Sequence, residues 1–383
     1  MEHDVKIVIG ANYGDEGKRL MSRYFAKNFL DEGKKPVTVF HNGSAQRGHT
    51  VDYEDGTRHV FHNFCAGAKD GAATYYANTF LVHPMDFCRE ARELGYVPTV
   101  ICSQQCVVVT PFDMLADHII EDFIAVKNGA REYGSCGYGT WSATDRIMER
   151  PDLAYTVFDV ATGNYRGMML SMMEWVKSRL KSFQVDLDLV PQWKEHLDVK
   201  SGRFSAACAH FRSDLDFFLK HIGLRGFDEI WNSSNAIIFE GAQGLLLDKD
   251  RDGIWTTTSN TGLQNPAKFL SSYNDYEAEV CYVSRAYVTR HGEGPLNNEV
   301  GPDEIDEDGK ELTDQTNVFN DFQGKLRYAL LSMPSVLHEV ESDFKTFGRS
   351  ELWKPTVALT HCNEYSINGG DYRSYSKTKV EAQ

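Results

Sequence analysis

The chain has 383 residues, of which 42% are hydrophobic and 25% charged, so it is long enough for one large domain or two ordinary ones. Its net charge of −15 argues against general binding to nucleic acid or to an anionic membrane, because both need basic surfaces. No apolar run approaches transmembrane length, and the N-terminus lacks a signal-peptide core. The eight cysteines do not form two pairs at metal-site spacing. We therefore expect a cytoplasmic protein whose thiols are reduced.

Short apolar runs in the chain are typical of buried strands in a parallel sheet. In chain order they are 5–9, 37–40, 97–101, 236–239, 280–283 and 356–359. Between the first two, apolar residues recur every four positions at Met21, Phe25 and Phe29, which predicts a helix. Strands that alternate with helices predict an α/β fold with a mostly parallel central sheet flanked by helices.

The span from about 160 to 225 is mostly helical in pattern. We interpret it as a helical insertion into a single domain that covers residues 1–383. Four methionines in the span are expected to fill the core or a subunit interface and not a cofactor site: Met168, Met169, Met172 and Met173.

A glycine-punctuated loop, GANYGDEGK at 10–18, follows the first predicted strand. Glycines let backbone N–H groups approach a phosphate, and the next helix directs its positive end to the same place. Lys18 adds a positive charge, whereas Asp15 and Glu16 place carboxylates inside an anion site. Those acids indicate chemistry or a metal; the alternative is a tight connection between a strand and a helix.

This loop differs from a Walker A motif at both ends. Asn12 stands at the position of the first glycine, and Arg19 replaces the hydroxyl residue that would hold magnesium. Because hard cations prefer oxygen anions, Asp15 is the natural substitute as a magnesium ligand.

A second loop, HNGSAQRGHT at 41–50, follows the second predicted strand. Loops at the carboxyl ends of neighbouring strands face one crevice, so Arg47 and His49 could approach the same anion as Lys18. His49 would be suited to act as a proton donor near neutral pH. The alternative is that it is an ordinary surface or packed histidine without a catalytic role.

Two later segments also carry groups that can hold a nucleotide. YGSCGYGT at 133–140 has three glycines and can wrap a phosphate with N–H and O–H donors, or form a flexible surface loop. FEGAQGLLLD at 239–248 runs off a strand and precedes TTTSN at 256–260. There Gln243 can donate to a carbonyl oxygen, and the hydroxyl run can hold a second phosphate.

Four ordered segments resemble the adenylosuccinate synthetase family: GDEGK at 14–18, GHT at 48–50, EGAQG at 240–244 with its trailing TTTSN, and TRHGEGP at 289–295. The resemblance implies a P-loop-NTPase-like parallel sheet. It also implies a ligase that phosphorylates the 6-oxygen of a purine nucleoside monophosphate, after which the amine of aspartate displaces the phosphate and forms a C6–N bond.

The resemblance assigns the catalytic roles. Asp15 looks like the base that removes the N1 proton and like a magnesium ligand, to which Gly48 adds a carbonyl oxygen. His49 looks like the acid near the 6-oxygen. Lys18 would stabilise the transferred phosphoryl group, and Gln243 would orient the purine. These roles agree with the interpretation of the residues alone, which is an acid and a base around a loop that binds phosphate.

The resemblance also implies nucleotide or phosphate contacts by Gly14, Glu16, Gly17, Thr50, Ser135, Cys136, Arg150, Thr257, Arg290 and Asn363. Ser135, Cys136 and Thr257 would surround the 5′-phosphate. Arg150 matches an arginine that the family supplies from a partner subunit, so a homodimer is implied.

The segment that should read the donor base departs from the family. Ordinary members use GTP and recognise guanine with T-K-x-D, whereas this chain has Thr360, His361, Cys362 and Asn363. An amide cannot accept two hydrogen bonds as a carboxylate does. We therefore expect ATP or dATP, with GTP less favoured. This combination resembles the phage-type 2-aminoadenylosuccinate synthetase branch, which takes dGMP, although members of that branch often replace the catalytic aspartate that is retained here.

The loop that grips aspartate also departs from the family, which uses an arginine-rich ATTGRRRR-like sequence. The nearest match is 312–327, which has no arginine in its first half. Arginine is the usual bidentate partner of a carboxylate, so either another cation compensates or the amine is not aspartate. The candidates are Lys325, Arg327, Arg290 and His291.

Three functional hypotheses result. The leading one is a ligase that acts on (d)GMP with aspartate and ATP. The second is an ordinary adenylosuccinate synthetase that uses IMP and GTP. The third is a catalytically idle nucleotide-binding regulator on the same fold, against which the retained acid and base at Asp15 and His49 argue.

Overall fold

The computed structural model describes residues 3–53, 56–129, 137–251, 255–302, 305 and 326–362. In these ranges the strands are β1 (His3–Gly10), β2 (Val37–Phe40), β3 (His49–Asp52), β4 (Arg58–Phe61), β5 (Ala73–Tyr76), β6 (Val100–Cys102), β7 (Ile222–Leu224), β8 (Ala236–Gly244), β9 (Tyr276–Arg285), β10 (Val288–Arg290), β11 (Glu299–Val300), β12 (Arg327–Ala329) and β13 (Trp353–Thr360). The helices are α1 (Lys18–Asp31), α2 (Pro84–Leu94), α3 (Pro111–Asn128), α4 (Thr140–Glu149), α5 (Val157–Thr162), α6 (Tyr165–Ser182), α7 (Gly202–His221), α8 (Phe227–Ser233), α9 (Gln264–Leu270) and α10 (Met333–Phe347).

The central sheet has eight strands in the order β13-β9-β1-β8-β2-β5-β6-β7, and every neighbouring pair is parallel. The predicted α/β fold is thus confirmed, and all six predicted strands lie in this sheet. Two further strands, β5 and β7, complete it. Antiparallel pairing forms two smaller sheets, one from β10, β12 and β11 and one from the hairpin of β3 and β4.

Hydrophobic cores lie on both faces of the central sheet. On one face, Val8 of β1 packs in a cluster with Phe25 and Phe29 of α1. On the other face, Ile7 and Ile9 pack in a second cluster that includes residues of α8, α9 and α10. Because alternate side chains of β1 are buried on opposite faces, this strand reads as one continuous apolar run.

The span predicted to be helical contains α6 and α7, which belong to the long connection between β6 and β7. Its four methionines are 9% exposed or less and pack in the first of the two cores, in agreement with a filling role. Within the described ranges, no helix is both long enough and apolar enough to cross a membrane.

A buried ion pair joins α3 to α4. Nε and Nη2 of Arg146 donate to the two carboxylate oxygens of Asp113 at 2.9 Å each, and both side chains are fully buried. Nη2 also donates to the carbonyl oxygen of Val108 at 3.0 Å, and Nη1 to that of Leu153. Asp113 in turn closes the capping box at Thr110 that starts α3. One guanidinium therefore holds four chain segments together.

We expect Arg146→Met to lower the free energy of unfolding by about 3–5 kcal/mol, because the variant leaves the Asp113 carboxylate buried without its cation. Urea unfolding at neutral pH measures the effect. Arg212→Met is the matched control, since Arg212 forms an exposed i,i+4 pair with Asp216 and its loss should leave the midpoint unchanged. Equal midpoints for the two variants would contradict the structural role of Arg146.

Burial of Asp117 on α3 predicts a pH-dependent stability. Burial raises the pKa of its carboxyl from 3.8 to about 7, although the N–H and hydroxyl of Ser142 donate to it at 3.1 and 2.5 Å. The folded chain therefore binds a proton that the unfolded chain has released, so this group's contribution to stability is complete below about pH 4 and is lost as the pH rises to about 7. Asp117→Asn should remove that dependence. Urea midpoints of both proteins from pH 4 to 8 check this, and parallel profiles would refute it.

Candidate active site at the carboxyl edge of the sheet

Five neighbouring strands end at one edge of the central sheet and bring the predicted motifs together. They are β13, β9, β1, β8 and β2. The GDEGK loop follows β1, the segment that leads to His49 follows β2, and EGAQG forms the end of β8. Carboxyl ends of parallel strands are the usual place for a ligand site in such a fold.

The loop between β1 and α1 closes around the carboxylate of Glu16. Oε1 of Glu16 accepts the backbone N–H of Asn12 at 3.0 Å and that of Gly14 at 2.7 Å. Oε2 accepts Nζ of Lys18 at 3.0 Å, and both side chains are 3% exposed or less. The loop thus directs two N–H groups and an ammonium at one anionic group, and that group is its own side chain.

Two neighbouring strands fix the back of this loop. Oγ1 of Thr360, the last residue of β13, donates to the carbonyl oxygen of Glu16 at 2.6 Å. Nε of Arg285, at the end of β9, donates to the carbonyl oxygen of Asp15. Nδ2 of Asn12 donates to Oγ of Ser284 at 2.9 Å. Thr360 was predicted only as part of the segment that should read the donor base, and Arg285 and Ser284 belonged to no predicted motif. Their positions at the ends of two predicted strands were the available signal that they anchor the loop.

The Asp15 carboxylate points to a partly open region. Its Oδ2 lies 3.3 Å from Nε2 of His291, and the two side chains are 29% and 17% exposed. A carboxylate that keeps access to solvent can act on a bound molecule, which the buried Glu16 cannot do. The structure therefore separates the two acids of the loop: one fills the cradle and the other faces outward.

The EGAQG turn packs directly against the GDEGK loop. Gln243 has a positive φ of 66°, an uncommon conformation for a residue with a side chain. A Cβ on Gly14, whose φ is 126°, would lie 3.2 Å from both Cα and Oε1 of Gln243. A Cβ on Gly10 would lie 2.8 Å from the carbonyl oxygen of Gln243. Glycine at these two positions is what allows Gln243 to pack against the loop that carries Asp15.

The segment after β2 reaches the same edge. Asn42 exchanges two hydrogen bonds with Ala242, at 2.8 and 3.0 Å, which ties the segment to the end of β8. His49 and Thr50 were expected in a loop, but their backbone forms the start of β3, paired with Phe61 and Val60. The side chain of His49 lies outside the described part of the structure. Gly48, immediately before the strand, is exposed.

Hydroxyl groups of the two other motifs meet beside this segment. Oγ1 of Thr140, the first residue of α4, donates to Oε1 of Gln46 at 3.2 Å, and the hydroxyls of Thr144 and Thr258 lie 3.2 Å apart. The N–H of Thr257 donates to the carbonyl oxygen of Leu247 at 2.8 Å. Ser135 and Cys136 lie outside the described residues. The structure thus brings the TTTSN run to the N-terminus of α4, where a phosphate would be favoured.

Two predicted arginines already have partners within the chain. Arg290 donates to the carbonyl oxygens of Glu293, Pro295 and Trp255 at 2.8–3.2 Å. Arg150 is half exposed and makes a bidentate pair with Asp152 at 2.9 and 2.7 Å. To reach a phosphate of another subunit, Arg150 would have to leave that partner.

The candidates for binding the amine donor are also engaged. Arg327 makes a bidentate pair with Glu299 and donates to the carbonyl oxygens of Gly292 and Gly294. His291 contacts Asp15. Lys325 and most of the loop at 312–327 lie outside the described residues, as does Asn363 in the segment that should read the donor base.

A cavity of about 880 Å³ opens next to the loop, large enough for a nucleotide or an amino acid. Its walls include Asn12, Tyr13, Trp255 and Arg290. The guanidinium of Arg290 lies 4.6 Å from the ring centroid of Tyr13. An aromatic ring and a cation in the wall of this cavity suit a ligand that is both planar and anionic.

The oxygen donors at this edge fit a hard divalent cation. The Asp15 carboxylate is partly exposed, and Gly48 is an exposed residue whose carbonyl oxygen is of the ligand type that Mg²⁺ prefers. Mg²⁺ is usually bound by one or two carboxylates together with substrate phosphates and water, so two protein ligands suffice. Among the described residues, no three His, Cys, Asp or Glu side chains form a metal-binding group.

The sequence profile of the adenylosuccinate synthetase family matches residues 7–328. The adenylosuccinate synthetase of Vibrio vulnificus is 26% identical to this chain over 331 residues, which are 84% of this chain and 70% of the relative. That of Thermotoga maritima is 25% identical over 347 residues, covering 88% and 77% of the two chains.

Two solved structures share the fold. Fully ligated adenylosuccinate synthetase from Plasmodium falciparum superposes with a TM-score of 0.64 at 19% identity, covering 95% of this chain and 78% of that one. Succinoaminodeoxyadenylate synthetase (PurZ) of cyanophage S-2L, bound to dGMP and to dATP as an energy donor, superposes with a TM-score of 0.56 at 14% identity, covering 94% and 93%. At these identities the likeness establishes the fold.

Proposed function

Because this chain belongs to the adenylosuccinate synthetase family, a family of C–N ligases, we propose that it activates the 6-oxygen of a purine nucleoside monophosphate and attaches an amino acid there. The observation that carries the proposal is the packing of the Gln243 turn on a loop that leaves Asp15 partly exposed and buries Lys18 against the Glu16 carboxylate. A partly exposed carboxylate and a buried ammonium in one loop support Asp15 as the base and Lys18 as the cation for phosphoryl transfer.

In the proposed first step, Asp15 removes the N1 proton of the purine while the γ-phosphoryl group of a nucleoside triphosphate is transferred to O6. The bond between the β,γ-bridging oxygen and the γ-phosphorus breaks as the O6–P bond forms. Lys18 neutralises charge that develops on the phosphoryl oxygens, and Gln243 orients the ring. His49 would be the acid near the 6-oxygen.

In the proposed second step, the amine attacks C6 and the C6–N bond forms as the C6–O6 bond breaks. Phosphate leaves with the oxygen that was O6, and the amine nitrogen releases one proton to solvent. Mg²⁺ held by Asp15 and Gly48 would supply electrostatic stabilisation of the transferred phosphoryl group. The cation and the two nucleotides would enter at the carboxyl edge of the sheet. The same proposal includes a homodimer, in which Arg150 would reach the phosphate site of a second copy.

For the substrates we propose (d)GMP as acceptor, ATP or dATP as donor and aspartate as amine. The replacement of T-K-x-D by the sequence at 360–363 supports a donor other than GTP. The solved structure of PurZ, which shares this fold, holds dGMP and dATP, and this also supports the choice. The second candidate is IMP with GTP, which the names of the curated relatives favour, as does the retained Asp15.

A product assay tests the function and separates the two candidates. The protein is incubated with Mg²⁺, an amino acid mixture, ATP or GTP, and IMP, dIMP, GMP or dGMP in turn, and products are identified by mass. We expect an aspartate adduct of dGMP or GMP with ATP. Triphosphate hydrolysis without any adduct would refute the ligase, and an adduct only with IMP and GTP would refute the substrate choice.

A further inference from the structure

A cluster of buried charges lies directly beneath the candidate site. Nε of Arg19 and Nη1 of Arg47 lie 3.3 and 3.5 Å from the same atom, Oε1 of Glu240. The exposed fraction of the Arg19 side chain is 3%, and those of Arg47 and Glu240 are 0%. Two arginines from two different segments therefore converge on one carboxylate that belongs to a third.

Arg47 is held by more than this ion pair. Its Nη2 donates to the carbonyl oxygen of Asn42 at 2.7 Å, and its guanidinium lies 4.0 Å from the ring centroid of Phe40. Asn42 in turn exchanges its two hydrogen bonds with Ala242. The segment from 42 to 47 is thus tied to the end of β8 at both of its ends.

These contacts lie close in sequence to the proposed catalytic groups. Arg19 follows Lys18, Arg47 precedes His49 by two residues, and Glu240 precedes Gln243 by three. One buried carboxylate therefore connects the three segments whose relative positions the proposed reaction depends on.

The cluster is not explained by stability. Burial lowers the pKa of Arg47 to about 9 and that of Arg19 to about 10, although the charge of Glu240 opposes both shifts. Burying two cations around one anion costs free energy that an apolar side chain would avoid. Features that cost stability in this way are expected where a functional geometry has to be held.

We propose that Arg47 is a positioning residue, which uses Glu240 and Asn42 to hold the His49 segment in register with the Gln243 turn. The inference rests on the proposed function for the roles of His49 and Gln243. The mechanical part, that one guanidinium couples two segments, does not depend on any activity.

Arg47→Met is the variant that tests this proposal, because it leaves Arg19 and Glu240 as one cation and one anion. Glu240→Gln would leave two buried cations without an anion, so that variant is expected to unfold. Arg349→Met is the matched control. Arg349 also binds backbone carbonyls, those of Leu270 and Tyr273, but near the start of β9, at the opposite edge of the sheet.

Two measurements are made on the full chain. In hydrogen exchange, the amides of 42–48 and 241–244 should both exchange faster in Arg47→Met, and neither should change in Arg349→Met. In the product assay, kcat of Arg47→Met should fall by about 10²-fold, the loss expected for a misplacement near 1 Å, while the KM values for both nucleotides stay within about 3-fold. Arg47→Lys keeps the charge without the planar fork and should resemble Arg47→Met.

Unchanged exchange in the two segments, or faster exchange in one of them only, would overturn the coupling whatever the activity. Coupled exchange with an unchanged kcat, or a loss confined to KM, would overturn the positioning role. If Arg47→Lys behaves like the wild type, the positioning does not require the planar guanidinium of arginine. A wild-type chain that forms no adduct would refute the proposed function instead, and the exchange measurement would still decide the coupling.

Discussion

Asp15→Asn is expected to reduce adduct formation by about 10²–10⁴-fold, the range in which loss of a general base falls. The amide keeps the size of the side chain, and the backbone carbonyl of residue 15 can still accept from Arg285. What the variant loses is the basic oxygen and the negative charge that is proposed to bind magnesium. Single-turnover formation of the adduct, followed by mass, measures the effect.

Asp31→Asn is the control for this experiment, because Asp31 is an exposed residue at the other end of α1. Its activity should equal that of the wild type. The urea midpoint of Asp15→Asn should also be close to that of the wild type, since the carboxylate is partly exposed. An Asp15→Asn protein that retains more than about a tenth of the activity would contradict the assigned role of the base, given the magnitudes known for such catalysis.

Lys18→Met is expected to lower kcat by about 10²–10³-fold, as for the removal of one preorganised donor to a developing anion. Nζ of Lys18 is held between the carboxylate of Glu16 and the carbonyl oxygen of Gly14, so the position of the ammonium in the loop is fixed by two partners. Methionine retains most of the side chain's volume. Steady-state kinetics with saturating nucleotides measure the loss.

A structural explanation of that loss can be separated from a catalytic one. The single variant leaves the Glu16 carboxylate buried and unpaired, whereas Lys18→Met combined with Glu16→Gln removes both charges. If Lys18 acts on the phosphoryl group, the double variant should recover the urea midpoint but not kcat. Recovery of both would show that Lys18 merely neutralises Glu16.

The sheet could be predicted from the sequence where strands are buried on both faces. β1, β8 and β9 read as apolar runs because their neighbours and both cores cover them. β7 could not be found in this way, since it is a three-residue edge strand with two exposed residues. β5 was missed because its sequence, ATYY, is short and carries a polar residue that is nevertheless buried.

The site was predictable as a set of motifs but not as a geometry. Glycine spacing identified the loop, yet nothing local indicates that Glu16 fills it while Asp15 faces outward, because that division depends on the anchors Thr360 and Arg285 far along the chain. The hairpin that receives His49 was read as a loop, since its pairing is with residues of β4 and not with the central sheet. Arg47 resembled a phosphate ligand in sequence, but its side chain is buried against Glu240.

The position of β1 in the sheet has a consequence for biosynthesis. This strand leads into the candidate catalytic loop, and its two neighbours in the sheet are β8 and β9. The first of these begins at Ala236, which pairs with Asp4. At 5–20 residues per second, about 230 further residues take roughly 10–50 s to synthesise, during which β1 has no partner strand. The nascent chain therefore carries β1 as an apolar strand without its sheet neighbours. Because the candidate site starts at the end of β1, it can form only after most of the protein has left the ribosome.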